Sequence, residues 1–300
     1  MTPSLELVDV RKSYGNFVAV EGVSMAVPPG SIFGLLGPNG AGKTTTIRMI
    51  MDIIAPDTGE VRFFGHPRSP ADLRRTGYLP EERGLYRKMT VIDHLVFFAE
   101  IRGLKRRDVQ PEIDRWLERT DLAEWGKKKV EELSKGMQQK IQLIGTVLHR
   151  PDLLILDEPF SGLDPLNQEL FRELLLEHRQ QGKSVLLSTH GMELAERMCD
   201  HICLISHGRV VLTGELKEIK RRLSGNSYRL VAAGDLSRLA AVPGVEQVLA
   251  QEVGVKLLLA PQAAGADVLR EIVQFLRVQE FRSEEPELEQ IFMKAVRDAA

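Results

Sequence analysis

The sequence has little cysteine and no stretch suited to crossing a membrane. Its 300 residues contain two cysteines, Cys199 and Cys203. So few thiols exclude a disulfide framework and indicate a reducing compartment. The uncharged stretch 23–42 is interrupted by prolines and glycines, so it is not a membrane span. The first residues, MTPSLELVDV, lack the pattern of a signal peptide. We therefore expect a cytoplasmic chain that reaches a membrane only through a partner.

The sequence also lacks an excess of charge of either sign. Its 40 lysines and arginines nearly balance 42 aspartates and glutamates, which gives a formal net charge of -2. A protein that binds nucleic acid through bulk charge would be strongly basic, so we expect no nucleic-acid partner. The basic clusters 105–107 and 127–129 are interpreted as solvated faces and loops.

The two cysteines allow two interpretations. With His201 and His207 nearby, they are conceivable metal ligands. The segment from Cys199 to Cys203 leads into an apolar stretch typical of a strand, which favours buried structural thiols.

Segments typical of strands and of helices alternate through most of the chain. LELVDV and FVAVEGVSMAV have strand patterns, and SIFGLLG and DLLILDE have the pattern of buried strands. A helix is predicted from Lys43 to about Ile54. Residues 82–150 repeat apolar side chains at helical spacing, which predicts an inserted helical subdomain. Such alternation is typical of a mainly parallel α/β sheet.

The character of the sequence changes near the charged segment KEIKRRLSGNS. Beyond it, we predict a strand at Tyr228–Ala232, a hairpin around Glu252–Gly254 and a final amphipathic helix. We therefore divide the chain into a domain of residues 1–225 and a small C-terminal α+β domain of residues 226–300.

The segment GPNGAGKTT matches the phosphate-loop pattern between a predicted strand and a predicted helix. Its residues are Gly37, Pro38, Asn39, Gly40, Ala41, Gly42, Lys43, Thr44 and Thr45. Glycines let backbone N–H groups surround a phosphate, and the helix N-terminus favours its negative charge. Lys43 is expected to reach the β- and γ-phosphates, and the Thr44 hydroxyl to bind Mg²⁺. A glycine-rich turn that matches by chance is the alternative, and the strand–loop–helix context argues against it.

The segment LLILDEP supplies two carboxylates at the end of a buried strand. Asp157 is placed to hold Mg²⁺ through its water shell, and Glu158 is a candidate base for an attacking water molecule. The alternative is that the pair caps the next helix.

The order of these motifs resembles that of the ATP-binding-cassette (ABC) ATPase family. The phosphate loop is followed by GYLPEE (77–82), LSKGMQQ (133–139), LLILDEP, SGLD (161–164) and LSTH (187–190), and the resemblance covers about residues 4–220. It implies an α/β fold with a P-loop NTPase core, an antiparallel β subdomain and an inserted helical subdomain. The small C-terminal α+β domain is an extension that resembles one branch of this family.

The resemblance also implies roles for residues outside the phosphate loop. Asp164 would lie at a subunit interface, and His190 would contact the γ-phosphate. Tyr14, in RKSYG, would stack on adenine. For a lone tyrosine at a strand end, core or surface packing is the alternative.

Two segments depart from the usual family pattern. Glu81 stands where the family has a glutamine, and a carboxylate can still offer oxygen to Mg²⁺ or its water. In LSKGMQQ, Lys135 and Met137 replace a glycine and a glutamine, while Ser134 and Gly136 remain. Ser134 is expected to cap the following helix, and Ser134, Lys135 and Gly136 to face the ATP of a partner subunit.

The resemblance therefore implies an ATPase subunit of an ABC transporter, with ATP and Mg²⁺ as its ligands. Two such subunits, identical or closely homologous, would enclose two ATP molecules and drive export through a separate integral membrane permease. The chain would then lie on the inner face of the cell membrane. Two alternatives stay open: a non-transport member of the family acting on ribosomes or DNA, and an ATP-sensing module without turnover.

Overall fold

A computed structural model describes residues 2–82, 84–223 and 226–298. It divides the chain into two compact units, one ending at Gly214 and the other running from Glu215 to Asp298. The sequence placed this boundary at residues 225 and 226, next to Ser224 and Gly225, which lie outside the described residues.

The first unit contains ten strands and seven α-helices among its described residues. In chain order they are β1 (Leu5–Tyr14), β2 (Phe17–Val27), β3 (Ile32–Leu36), α1 (Lys43–Ile50), β4 (Thr58–Phe63), β5 (His66–Pro67), α2 (Pro70–Arg74), β6 (Thr76–Leu79), α3 (Val91–Glu100), α4 (Arg106–Arg119), α5 (Lys135–Val147), β7 (Leu153–Asp157), α6 (Pro165–Gln180), β8 (Ser184–Thr189), α7 (Met192–Met198), β9 (His201–Ser206) and β10 (Arg209–Glu215). Short 3-10 helices lie at Ala123–Trp125 and Val130–Glu132.

Two sheets form the core of the first unit. An antiparallel sheet has the order β2-β1-β4-β5, and a six-stranded sheet has the order β10-β9-β3-β8-β7-β6. Strands β9, β3, β8, β7 and β6 are parallel neighbours. Apolar side chains of both sheets and of α1 share one core, in which Leu5, Phe33 and Ile47 are almost fully buried. The predicted α/β fold with an antiparallel β subdomain is thereby confirmed.

The helical subdomain has its own core. Helices α3, α4 and α5 bury apolar side chains against one another, among them Leu95, Ile113 and Ile141. The Thr90 hydroxyl caps α3, and its Oγ1 accepts a hydrogen bond from the Asp93 N–H at 3.1 Å. The inserted helical subdomain expected within residues 82–150 is confirmed.

Helix α1 is shorter than predicted. It ends at Ile50, whereas the sequence suggested an end near Ile54. Asp52 adopts a left-handed backbone with φ 61, which cannot continue a helix.

A two-residue turn joins β9 to β10. His207 and Gly208 have φ angles of 48 and 77, as the tight turn of a hairpin requires. The Gly208 N–H donates to the Ala41 carbonyl of the phosphate loop at 3.0 Å, and the Gly208 carbonyl accepts from the Glu21 N–H at 2.8 Å. The turn is therefore hydrogen-bonded to the phosphate loop through the Ala41 carbonyl.

The second unit is a four-stranded antiparallel sheet with helices. Its elements are α8 (Leu216–Leu223), β11 (Ser227–Ala233), a 3-10 helix (Leu236–Ala241), β12 (Val245–Ala250), β13 (Val255–Leu259), α9 (Gly265–Ile272), β14 (Arg277–Ser283) and α10 (Leu288–Asp298). The strand order is β12-β13-β11-β14, the arrangement of a β-α-β-β-α-β unit. The predicted strand and hairpin are present. The unit begins before α8 because Leu216 and Ile219 are buried and Lys220 pairs with Glu285 at 3.3 Å.

None of the helices in the described parts of the chain combines the length and the apolar composition that a membrane crossing needs.

Candidate functional site

The predicted site residues gather at the carboxyl edge of the parallel sheet. The phosphate loop follows β3, Glu81 follows β6, Asp157 ends β7 and His190 follows β8. Because parallel strands end at the same edge, four segments that are far apart in sequence meet there.

Two glycines of the phosphate loop are required by its geometry. A Cβ on Gly37, at φ 154, would lie 2.2 Å from the Ile205 carbonyl oxygen. A Cβ on Gly42, at φ 106, would lie 2.6 Å from the Ala19 carbonyl oxygen. Gly42 is also the N-cap of α1 and provides no side chain to its first turn, so the backbone N–H groups there remain available to an anion.

Lys43 is buried between its own loop and an acid. Its Nζ donates to the carbonyls of Gly37 at 2.8 Å and Pro38 at 3.2 Å. The same atom lies 3.3 Å from Glu158 Oε1, and both side chains are less than one tenth exposed. His190 Nδ1 lies 3.0 Å from the same carboxylate oxygen. One carboxylate therefore links the phosphate loop to the strand end that carries His190.

Ser188 holds both acids at the end of β7. Its hydroxyl donates a short hydrogen bond to Asp157 Oδ1. The Glu158 N–H donates to Ser188 Oγ at 3.1 Å and to the Ser188 carbonyl at 3.2 Å. Glu158 has a left-handed backbone with φ 48, a strained conformation for a non-glycine residue that these hydrogen bonds help to maintain.

Asp157 has the chemistry of a ligand to Mg²⁺. It is 1% exposed, and its Oδ2 has no hydrogen-bond partner among the described residues. A buried, unpaired carboxylate oxygen is costly unless a cation or water satisfies it. Thr44 and Glu81 supply oxygen donors to the nearby cavity, so the residues present fit this ion.

A cavity of about 360 Å³ opens at the phosphate loop. Its walls include Lys43, Thr44, Glu81 and Glu158, together with Phe17 at the start of β2. Tyr14 pairs with Phe17 across the β1–β2 hairpin and is 49% exposed. This exposure excludes core packing for Tyr14, and its stacking on adenine stays a prediction.

The segment LSKGMQQ lies apart from this cavity. Ser134 is the N-cap of α5, and its Oγ accepts from the Met137 N–H at 3.3 Å, so the predicted cap is confirmed. Gly136 lies beside α6, since a Cβ there would be 3.3 Å from Asn167 Nδ2. Among the described residues that line the phosphate-loop cavity, none belongs to 133–139.

Asp164 is the N-cap of α6. Its carboxylate accepts from the Asn167 N–H at 2.9 Å and from the Asn167 side-chain amide at 2.6 Å. The backbone hydrogen bond is the main cause that lowers the pKa of Asp164. The cap of α6 is therefore Asp164, and the alternative that Asp157 and Glu158 cap the next helix is excluded. A place for Asp164 at a subunit interface stays a prediction.

The cysteines are not metal ligands in the described structure. Cys199 and Cys203 are buried free thiols, as predicted, and burial raises the pKa of each to about 12. No group of three or more His, Cys, Asp or Glu side chains that could hold a metal ion occurs in residues 2–82, 84–223 and 226–298.

Three residues at the site were not singled out from the sequence: Ser188, Phe17 and Ala19, which also lines the cavity. Ser188 lies inside LSTH, two positions before His190, and its location in that motif was the available signal. Phe17 follows Tyr14 by three residues, and only the hairpin pairing reveals that it faces the cavity.

This fold and site define an ABC-type ATP-binding domain. The family model described as ABC transporter matches residues 20–161, and that of the ATP-binding protein DrrA1-3-like C-terminal domain matches residues 214–296. The chain belongs to the ATP-binding proteins of ABC transporters.

Individual relatives agree with this assignment. The "Uncharacterized ABC transporter ATP-binding protein YhaQ" of Bacillus subtilis (strain 168) is 44% identical over 296 residues, which are 97% of this chain and 98% of the relative. The "Nod factor export ATP-binding protein I" of Cupriavidus metallidurans is 39% identical over 222 residues, 73% of each chain. A solved structure of an ATP-binding subunit of an ABC transporter has a TM-score of 0.68 at 34% identity, and the match covers 73% of this chain and 92% of that one.

Proposed function

We propose that this protein hydrolyses ATP as the ATPase subunit of an ABC transporter. The observation that carries the proposal is the position of Glu158 Oε1, 3.3 Å from Lys43 Nζ and 3.0 Å from His190 Nδ1 at the phosphate-loop cavity. This arrangement places a carboxylate base beside a phosphate-binding loop and a histidine. It is a set of groups suited to activating a water molecule against a terminal phosphate.

In this proposal, different groups of the chain bind the phosphates, accept the proton and hold the metal ion. The loop N–H groups and Lys43 bind the β- and γ-phosphates, so Lys43 must exchange its bonds to Gly37 and Pro38 for phosphate oxygens. Glu158 accepts a proton from the attacking water as the bond between the γ-phosphorus and the leaving ADP oxygen breaks. His190 positions Glu158 and contacts the γ-phosphate. Thr44, Asp157 and Glu81 would hold Mg²⁺, which supplies charge neutralisation of the phosphates when it is bound.

We infer that two subunits, identical or closely homologous, close around two ATP molecules. Support comes from the separation of Ser134, Lys135 and Gly136 from the phosphate-loop cavity of their own chain. Ser134 carries its hydroxyl at the start of α5, where helix N–H groups favour an anion. A partner's γ-phosphate would satisfy that site, and Asp164 at the start of α6 would lie at the same interface.

We further propose that the dimer acts on a separate integral membrane permease, on the cytoplasmic side of the membrane, in export. The names of the relatives support this: one is an ABC transporter ATP-binding protein, and another is a Nod factor export ATP-binding protein. The near-neutral charge gives no support to a nucleic-acid partner. The second unit, Glu215–Asp298, is proposed to be an accessory domain of the ATPase.

Steady-state ATPase assays test the hydrolysis proposal. Glu158→Gln keeps the size of the side chain and removes the base, so we expect turnover to fall by about 100-fold or more. Glu193→Gln is the matched control, because Glu193 is an exposed surface residue that pairs with Arg197. Equal turnover in the Glu158→Gln and Glu193→Gln proteins would refute the role of Glu158. Absence of turnover in the wild type would favour an ATP-sensing module.

A further inference from the structure

A second cavity in the first unit has no part in the proposed ATP site. Its volume is about 480 Å³, within the range of small-molecule pockets. It lies between α4, α6 and the segments that follow α5 and α6. Lys183 stands at its wall immediately before β8, at the amino edge of the sheet, whereas the phosphate loop is at the carboxyl edge. The two cavities share none of their described lining residues.

Cationic side chains outnumber acids around this cavity. Four basic residues face two acidic ones, and these are Arg115, Arg119, Arg150, Lys183, Glu112 and Glu177. Arg119 is matched to Glu177 by two hydrogen bonds, of 2.8 and 2.6 Å. Glu112 is shared by two guanidinium groups, since Arg115 contacts it and Arg150 Nη2 lies 3.2 Å away. The cavity therefore has a surplus of positive charge.

Lys183 is the cation with the poorest compensation. Its Nζ donates to the Arg150 carbonyl at 2.8 Å, and no carboxylate within the described ranges lies at ion-pair distance from it. Partial burial is the main cause that lowers the pKa of Lys183; the Asp152 carboxylate opposes this shift, and the charge of Arg150 adds to it. An anion beside Lys183 and Arg150 would stabilise both charges.

The rest of the wall is aromatic and apolar. The Arg119 guanidinium lies over the Trp116 ring, with 5.2 Å between its central carbon and the ring centre. Val147 and Leu174 are almost fully buried. His178, 7% exposed, also contributes to the wall, and its Nε2 has no partner in the described part of the chain. A ligand that suits this wall has a flat apolar part as well as a charged group.

We propose that this cavity binds a small organic phosphate, with its phosphate group between Lys183 and Arg150 and its ring or apolar part against Trp116. Arginine and lysine together are the usual partners of phosphate oxygens, and Trp116 in the cavity wall offers an aromatic contact to a ring. The site is independent of the phosphate loop, so its existence does not depend on ATP hydrolysis.

The test uses phenyl phosphate as the probe and Trp116 as the reporter. The chain has two tryptophans, so Trp125→Phe leaves Trp116 as the single source of tryptophan fluorescence. Phenyl phosphate is expected to change this fluorescence saturably in the full-length Trp125→Phe protein. Phenol at the same concentrations is expected to leave it unchanged, and inorganic phosphate is expected to displace the probe.

Two added substitutions locate the phosphate. Arg150→Gln and Lys183→Gln, each in the Trp125→Phe protein, are expected to raise the half-saturating concentration by about tenfold. Arg107→Gln is the matched control, because Arg107 is on α4, is 78% exposed and lies outside the cavity wall. Absence of saturation, equal binding of phenol, failure of inorganic phosphate to compete, or equal midpoints for Arg150→Gln, Lys183→Gln and Arg107→Gln would each overturn the proposal.

Discussion

Lys43 and Glu158 form a buried ion pair, with 3.3 Å between Nζ and Oε1 and side chains that are 6% and 9% exposed. Among the described residues, this carboxylate is the only acid within ion-pair distance of Lys43. Phosphate oxygens would supply the same compensation once ATP is bound. Bound phosphate would therefore reduce the dependence of the Lys43 charge on Glu158.

Glu158→Gln should accordingly destabilise the empty protein more than the loaded one. Removing one partner of a buried pair leaves the other charge uncompensated, and we expect a loss of about 2 kcal/mol, moderated by the two loop carbonyls that Lys43 retains. Thermal unfolding of wild type and Glu158→Gln, with and without Mg²⁺ and ATP, measures this loss of stability. The Glu158→Gln midpoint should fall by several degrees without nucleotide and approach the wild-type value with it. An equal fall in both conditions would contradict the ion-pair explanation.

Ser188→Ala should reduce ATP turnover without unfolding the protein. The substitution removes the hydroxyl that donates to Asp157 and accepts from the Glu158 N–H. Groups that orient metal ligands typically contribute 10- to 100-fold, so we expect a fall in turnover of about tenfold or more. Ser184→Ala is the matched control, because Ser184 is a buried serine at the other end of the same strand, bonded to Ser4. Similar turnover in the Ser188→Ala and Ser184→Ala proteins would show that Ser188 has no special role.

Tyr14→Ala should weaken the binding of ATP but not that of tripolyphosphate. If the ring stacks on adenine, its loss costs about 1–3 kcal/mol, or at least a fivefold rise in the dissociation constant. Tripolyphosphate has no base and tests the phosphate loop alone. Calorimetric titration of both ligands into wild type, Tyr14→Ala and Phe17→Ala shows whether adenine stacks on Tyr14 or on Phe17. If only Phe17→Ala affected ATP, the base would stack on Phe17 instead.

Ser134→Arg should prevent closure of the dimer but spare ATP binding to the single subunit. Ser134 is not among the described residues that line its own chain's phosphate-loop cavity, so a bulky cation there should leave that cavity intact. Light scattering with ATP, performed on Glu158→Gln protein to prevent turnover, reports the dimer, and equilibrium binding reports the monomer. Ser237→Arg, an exposed serine in the second unit, is the control. Loss of monomer binding in Ser134→Arg would refute the proposal that this segment serves the partner's ATP.

His94→Leu should make the helical subdomain less sensitive to acid. Burial lowers the pKa of His94 to about 4, below the usual value near 6.5. The unfolded chain therefore takes up a proton from about pH 6.5 downwards while the folded chain does not, so stability is lost as the pH falls from 6.5 towards 4. Replacing this histidine should reduce the difference in free energy of unfolding between pH 7 and pH 5 by about 1–2 kcal/mol.

Urea unfolding, followed by the fluorescence of Trp116 and Trp125, measures that difference. Phe98→Leu is the control, since Phe98 packs against His94 with 4.7 Å between ring centres but does not titrate. An unchanged pH dependence in His94→Leu would assign the acid sensitivity to other groups.

The sequence was sufficient to predict site residues that belong to a short contiguous segment. The phosphate loop and the Asp157–Glu158 pair were predicted because glycine spacing and strand-end acids are local patterns. The role of Ser188 was not predicted, because Ser188 and Asp157 are 31 residues apart in sequence. The parallel register of β7 and β8 brings them together. The second cavity could not be predicted from the sequence either, because its wall combines residues of α4, α6 and two loops that are distant in sequence.

The unit boundary illustrates a similar limit. From the sequence, the charged segment KEIKRRLSGNS marked a change in the character of the chain, and the boundary was placed within it, between residues 225 and 226. In the structure, the first part of this segment belongs to α8, which buries Leu216 and Ile219. Amphipathic helices of two turns carry too few apolar positions to be distinguished from a charged linker by composition.

The hairpin turn at Gly208 gives the protein a vulnerable position that belongs to no sequence motif, although its N–H contacts the Ala41 carbonyl of the phosphate loop. A Cβ there would lie 2.8 Å from the Ala19 carbonyl oxygen, and the backbone is left-handed at φ 77. A random-mutagenesis screen for lost function would therefore return substitutions at Gly208 as well as in the phosphate loop. Such mutants would look intact to any search for the family motifs, and a geneticist who read only the motifs would misassign them as harmless.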